Sequence, residues 1–240
     1  MWFTPGRSSI CSSSFAERVA TLSELLLPDA LLQYTNLYIR FGLGREPDRT
    51  HADWQKYVAG LREARDGREW TYRFYLERAE AAAGPPVIAT FGCFAYSRRR
   101  GDRLRLHFQN TEVEGASSLG SARRIQRVAD LAALFGYVKA TEREPLSVVG
   151  ASWLYNLEAY RRLFPKSYLA TARVLRDRFQ RMPLWGQFLD RHGGIKQNRA
   201  HQFLERLERQ SSLENLDRCF PLPVLTVEAP IREFYAFYGV

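Results

Sequence analysis

Val87-Ile88-Ala89-Thr90-Phe91-Gly92-Cys93-Phe94-Ala95-Tyr96, followed after a polar turn by Arg103-Leu104-Arg105-Leu106-His107-Phe108, decides the fold class. The first run is almost wholly apolar and rich in β-branched and aromatic residues, which predicts a strand covered on both faces and lying centrally in a sheet. The second alternates charged and apolar residues, the period-two pattern of a strand with one wet face. With Gly101 in the turn between them, the two runs predict an antiparallel hairpin.

Downstream, a Gly/Ser loop over 115–121 leads into a helix predicted over 121–138, with Ile125, Val128, Leu131, Ala132 and Phe135 on one side. A third strand over 146–153 ends near Asn156, the expected N-cap of a helix that starts at Leu157 with Glu158 in its first turn. Residues 167–180 fit both periods, with helix preferred; 196–210 form another helix, and 222–228, bracketed by prolines, a last strand. Pro230 then opens a short helix carrying Phe234, Tyr235, Phe237 and Tyr238.

Upstream, apolar residues recur at three- and four-residue spacing, as in Val19, Leu22, Leu25 and Leu26, which predicts helices throughout 14–83. Breaks are expected at Pro28, over 42–47 and near Gly67, with Thr50 or Asp48 capping the third helix. Gly84-Pro85-Pro86 stops helix formation and marks the boundary. The expectation is an α/β (α+β) protein: a disordered tail over 1–14, a helical domain over 15–84 and a mixed-sheet domain with flanking helices over 85–240.

With 240 residues, 45% apolar and 13% aromatic, the chain holds ample core material, which excludes a disordered, collagenous or disulfide-dense chain. Apolar clusters are cut by Pro28 and Asp29, far short of the roughly 18 residues of a membrane span, so none is expected. The serine-rich start lacks the apolar segment of a secretory signal. Cys11, Cys93 and Cys219 are odd in number and far apart, which predicts free thiols and a cytoplasmic location. Cys93, inside an apolar run, is expected in the core.

The net charge of +9 comes from 31 Arg and 4 Lys. Such a surplus invites a polyanion partner. It is spread along the chain and interleaved with acids, as in Arg62-Glu63-Ala64-Arg65-Asp66, the pattern of solvated helix faces. A nucleic-acid partner is therefore not favoured, and a small anionic ligand held by a few arginines is. Trp70, Tyr72, Phe74 and Tyr75 among Arg68, Arg73 and Arg78 could stack bases, but at helical spacing such a stripe belongs in a core with arginines at its rim.

Ser117-Ser118-Leu119-Gly120-Ser121-Ala122 follows a strand and opens a helix beginning Arg123-Arg124. Free amides at a helix N-terminus, a glycine allowing close approach and two guanidinium groups suit a phosphate or pyrophosphate, while a plain capped loop explains the same residues. Gly150-Ala151-Ser152-Trp153-Leu154 begins like a nucleophile elbow, but Leu154 stands where the second glycine belongs, so Ser152 is read as a cap. His107, on the wet face of its strand, has the residue type of a general base. No metal is expected, since the histidines and cysteines lack ligand spacing.

In order, Leu104-Arg105-Leu106-His107-Phe108, Ser118-Leu119, a long helix, Val148 through Ser152-Trp153-Leu154-Tyr155-Asn156, Leu163 and the stretch 167–179 resemble the GNAT-like C-terminal domain of a group of predicted acyltransferases. The likeness covers about 86–190. It implies an acyl-CoA donor whose pyrophosphate is gripped by amides of a strand-to-helix loop, with Ser117, Ser118, Gly120, Ser121, Arg123 and Arg124 as the contacts. GNAT-type enzymes carry Q/R-x-x-G-x-G/A there, and this chain has Ser117 in the first position. Ser152, Trp153 and Asn156 would line the pocket at the end of the third strand, and His107 is the candidate base. The alternative is a non-catalytic binding or scaffold protein with an arginine-rich surface.

Overall fold

The computed structural model describes residues 8–78, 87–100, 102–110, 117–142, 147–175, 183–190 and 194–240. Over these the chain is mixed α/β. Helices α1 (Ser8–Leu22), α2 (Leu27–Tyr34), α3 (Leu37–Arg40), α4 (Ala52–Glu63) and α5 (Gly67–Glu77) come first. Strands β1 (Ala89–Phe91), β2 (Phe94–Arg99) and β3 (Arg103–Phe108) precede the long α6 (Arg124–Thr141), which leads to β4 (Ser147–Ser152). Then come α7 (Glu158–Arg161), α8 (Lys166–Ala170), β5 (Arg173–Val174), α9 (Gln197–Glu208), β6 (Leu225–Pro230) and α10 (Ile231–Tyr238). The expected boundary at Gly84-Pro85-Pro86 lies outside the described residues, as does 176–180 of the ambiguous stretch.

The chain divides into two units, Met1–Gly84 with Arg176–Pro223, and Pro85–Leu175 with Val224–Val240. The first is helical. Phe15 of α1 packs on Trp185 and Phe220 at ring-centroid distances of 5.7 and 5.3 Å, and Phe203 of α9 closes on Phe188 and Phe220, both at 5.0 Å. Arg18 donates from Nε to the carbonyl of Gln210 at 3.0 Å and from Nη2 to that of Glu208 at 3.1 Å, placing a cation at the carbonyl end of α9. A second aromatic cluster joins Phe41, Tyr57 and Phe74, with Arg78 over the Phe74 ring. The aromatic stripe on α5 thus supplies core at Phe74, which is buried.

Three readings of this unit change. Residues 8–14, assigned to a tail for their serines, are helical, with Cys11 through Ser14 buried; small side chains let a helix approach its neighbours closely. The stretch 183–223 packs with the helices because Trp185, Phe188, Phe203 and Phe220 share a core with Phe15. Helix α4 is capped by His51, whose Nδ1 accepts the Asp53 amide at 3.2 Å, while Asp48 instead holds Thr50.

In the second unit the sheet runs β1-β2-β3-β4-β6-β5, with β3 and β4 parallel and every other pair antiparallel. A parallel pair needs a crossover, and α6 supplies it. The expected hairpin is present, Phe94 lying opposite Phe108 and Arg99 opposite Arg103. Phe94, Tyr96, Leu104, Leu106 and Val148 point to one core with Leu131, Leu134, Phe135 and Val138 of α6 and Phe234 of α10. Phe135 meets Phe234 at 4.7 Å and stacks on Tyr238 at 5.3 Å.

The apolar run 87–96 is not one central strand. Gly92 takes a φ of +55° and folds the chain back, so β1 becomes the edge partner of β2, with Val87 and Ile88 exposed. An ideal Cβ on Gly92 would collide with the Asp130 carboxylate. Asp130 pairs with Arg127 one turn earlier on α6 at 3.2 Å, both buried, while the Arg127 guanidinium reaches Cys93 Sγ. Leu131 and Phe135 of the expected face are buried beside these charges, whereas Ile125, in the first turn of α6, is 86% exposed. Farther on, the end of the 167–180 stretch that is described holds short α8 and edge strand β5, in place of one helix.

Two glycine substitutions should act with opposite sign in chemical denaturation. Gly92→Ala adds left-handed strain and a clash with Asp130 and is expected to cost about 1–3 kcal/mol. Gly136→Ala sits mid-helix, where the new Cβ meets only Val240 Cγ1 at 3.9 Å, and should stabilise by up to about 1 kcal/mol.

Candidate functional site

Strand β3 pairs with β4 only through Arg103–Ser147, Leu104–Val148 and Arg105–Val149. Beyond those positions Leu106, His107 and Phe108 pair only with β2, and Gly150, Ala151 and Ser152 only with β6. The carboxyl ends of two adjacent parallel strands therefore diverge. Backbone groups facing each other across such a gap form no ladder, and open sheets place ligands at this end of their strands.

On the α6 side the gap is bridged by aromatic rings. Phe108 of β3 meets Tyr160 at 5.6 Å, Tyr160 meets Tyr155 at 5.1 Å, and the Tyr155 hydroxyl bonds that of Tyr168 at 2.8 Å. Both hydroxyls lie where a side chain at Gly150 would stand. Gly150 is thus required for close approach. Burial pushes the phenols of Tyr155, Tyr160 and Tyr168 well above their ordinary value, so all three stay neutral.

The loop after β3 reaches α6 through a 3₁₀ turn over Ser121–Arg123. Gly115 and Ala116 of the expected Gly/Ser loop lie outside the described residues. Ser118 is buried and its hydroxyl donates to Asn110 Oδ1, so it braces the loop. The Gly120 amide donates to the Ser117 carbonyl at 2.8 Å and the Arg123 amide to the Gly120 carbonyl at 3.1 Å. Among the described residues, the amides of Leu119, Ser121 and Ala122 have no acceptor, as the opening of a helix dictates. Ser117, Ser121 and Arg124 are exposed, and Gly120 and Arg123 half-buried. A Cβ on Gly120 would stand 3.0 Å from the Ser117 carbonyl oxygen, a tight approach that a shift of a few tenths of an ångström relieves.

His107 stands on the opposite face of β3 from the aromatic bridge. Its Nε2 is 2.8 Å from Ser97 Oγ on β2. Ser152 accepts the Leu154 amide at 3.1 Å and so caps a 3₁₀ turn over Trp153–Asn156, as its reading as a cap anticipated. Asn156 is not the N-cap of the next helix: it donates to the Trp153 carbonyl at 2.8 Å, and Leu157 takes the cap position of α7 without a side-chain bond. Ser152, Trp153 and Asn156 thereby share one tight turn at the end of β4.

Sequence reasoning missed Arg162, which donates from Nη2 to the Leu119 carbonyl at 3.0 Å and ties the turn after α7 to the loop. It also missed Ser97 and the tyrosine bridge. Among the described residues no three of His, Cys, Asp and Glu converge to hold a metal, and no helix is long and apolar enough to cross a membrane. No known protein family, curated protein or solved structure matches the chain.

Ser152→Ala removes a cap and should lower stability by about 0.5–2 kcal/mol, read from urea midpoints. The buried acids set an alkaline limit. Burial raises Cys219 to about 11, Cys11 to about 12 and Tyr96 to about 12, with Tyr155, Tyr160 and Tyr168 moved the same way. The folded chain keeps protons that the unfolded chain loses from about pH 8.5 for thiols and about pH 10 for phenols, so stability falls as pH rises. Urea midpoints should be level near about pH 8 and drop steadily between about pH 9 and about pH 12.

Proposed function

We propose that the second unit binds an acyl-CoA-type donor and that the protein is a GNAT-like acyltransferase or an acyl-CoA-binding relative. The observation that carries this reading is the divergence of β3 and β4 beside a helix N-terminus with free amides. Phosphates suit the amides of Leu119, Ser121 and Ala122, with Arg123 and Arg124 beside them. An extended, amide-bearing arm such as that of CoA can pair with the open strand edges as an added strand does. Its thioester would then lie near the turn Ser152-Trp153.

For transfer, an acceptor amine attacks the thioester carbonyl and the C–S bond breaks, the thiol leaving as the C–N bond forms. In this reading a backbone amide of the open β4 edge would receive the oxyanion and His107 would take the amine proton. The aromatic bridge keeps water from the α6 side. The alternative, a polyanion surface, is weakened by the pairing of several arginines: Arg68 with Glu17 at 2.7 Å, Arg49 with Asp29 at 3.1 Å and Arg103 with Glu228 at 3.3 Å.

A thermal-shift screen with CoA, acetyl-CoA, nucleotides and a DNA oligomer tests the reading. CoA at about 100 times its Kd should add about 2.7 kcal/mol of stability. Gly120→Trp, which blocks the loop, should abolish that shift while leaving the fold intact by circular dichroism. No shift with millimolar CoA compounds, or a DNA response that falls steeply with salt, overturns it.

A further inference from the structure

Helix α6 carries its charges away from its exposed side. Arg127 and Asp130 are buried, and Lys139 in the last turn donates to the Val240 carbonyl at 3.0 Å and lies over the Tyr235 ring. Arg124 opens the helix and is exposed. Ile125, Ala129, Ala133 and Tyr137, spaced four apart, form one exposed row, with Ile125 at 86% and Tyr137 at 41% exposure. At 3.6 residues per turn the row sweeps about 120° of the helix, and none of the four ionic residues falls within that arc. The polar residue there, Gln126, turns its amide back to Asp130 Oδ1 at 2.9 Å. A helix that is apolar outward as well as inward belongs in an interface, and a contiguous apolar patch with a charged rim marks one.

The row is self-complementary: from either end it reads large, small, small, large about a midpoint at position 131. When two copies of α6 pack antiparallel about a two-fold axis, Ile125 meets Tyr137 of the partner subunit and Ala129 meets Ala133 of the partner subunit. The alanines let the helix axes approach closely. Tyr137 rests on Phe91 of β1 at 5.6 Å, so the isoleucine meets a pair of rings. Antiparallel packing brings Arg124 to the carbonyl end of the second helix, whereas parallel packing sets Arg124 beside its own copy. A strongly acidic or basic partner finds no charge in the row to pair with. The helix is about 27 Å long and, with the β1 margin, the strip is about 20 Å across, on the order of 500 Å² per chain. Two such strips total about 1,000 Å², the lower limit of a specific interface, which sets association in the micromolar range.

We propose that α6 is the interface of a homodimer, two copies packing antiparallel along Ile125, Ala129, Ala133 and Tyr137. This does not rest on the acyl-donor reading. Sedimentation velocity of the full chain from about 1 μM to about 300 μM should show passage from the mass of one chain to that of two. Ala133→Glu places a good helix former at an exposed position, so circular dichroism and Tm should stay unchanged while association weakens at least about tenfold. Mixing an Ala129→Glu chain with an Ala133→Lys chain should restore the dimer, because the antiparallel register sets position 129 against position 133. A wild-type chain that stays single over the whole range overturns the proposal, as does a dimer that Ala133→Glu leaves unchanged. A mixture that fails to associate removes the antiparallel register and the proposal with it. Single chains that co-sediment with vesicles of phosphatidylcholine and phosphatidylglycerol, and lose that binding with Ile125→Glu, make the face a lipid-binding one and overturn the dimer as well.

Discussion

The short parallel ladder between β3 and β4 is the constraint on which the second unit depends. Strand β4 commits all of Ser147 through Ser152 to β6, but only its first half to β3. Aromatic rings stand where the ladder stops. Tyr155 and Tyr168 bring their hydroxyls over Gly150, and Phe108 and Tyr160 continue the bridge to β3. Those rings belong to the buried core on the α6 side, where removing any one of them would cost of order 3–5 kcal/mol. The ladder's end and the aromatic bridge thus lie at the same place in the sheet.

Much of this unit is legible because its signals are local. The strict alternation of Arg103 through Phe108 gives β3 and assigns Leu104 and Leu106 to the core and His107 to the other face. The apolar period of α6 gives the crossover helix, though Arg127 and Asp130 occupy inward positions that an apolar count assigns to the surface. Gly92 is harder to read. A glycine within an apolar run is compatible with a continuous strand, and only the carboxylate of Asp130, distant in sequence, shows why the chain turns there.

What covers an apolar face is less legible than the face itself. The pattern of Phe203 and Leu207 predicts α9 well, but not that it joins Phe15 and Trp185 and leaves the sheet unit. Serine content misleads over 8–14 for the same reason: a polar small residue suits both a solvated tail and a tightly packed helix. At the site, Ser152 is legible as a cap because the bond is local. Ser97 and Arg162 are not, since one acts across a hairpin diagonal and the other through the carbonyl of Leu119.

The most direct measurement of a ligand site in the gap is hydrogen–deuterium exchange of the whole chain with and without saturating CoA. Protection is expected at residues 106–108, 119–124 and 150–152, where strand edges and helix amides await partners, with little change in the helical unit. Unchanged exchange over those three segments, or protection confined to other parts of the chain, contradicts a donor site between β3 and β4.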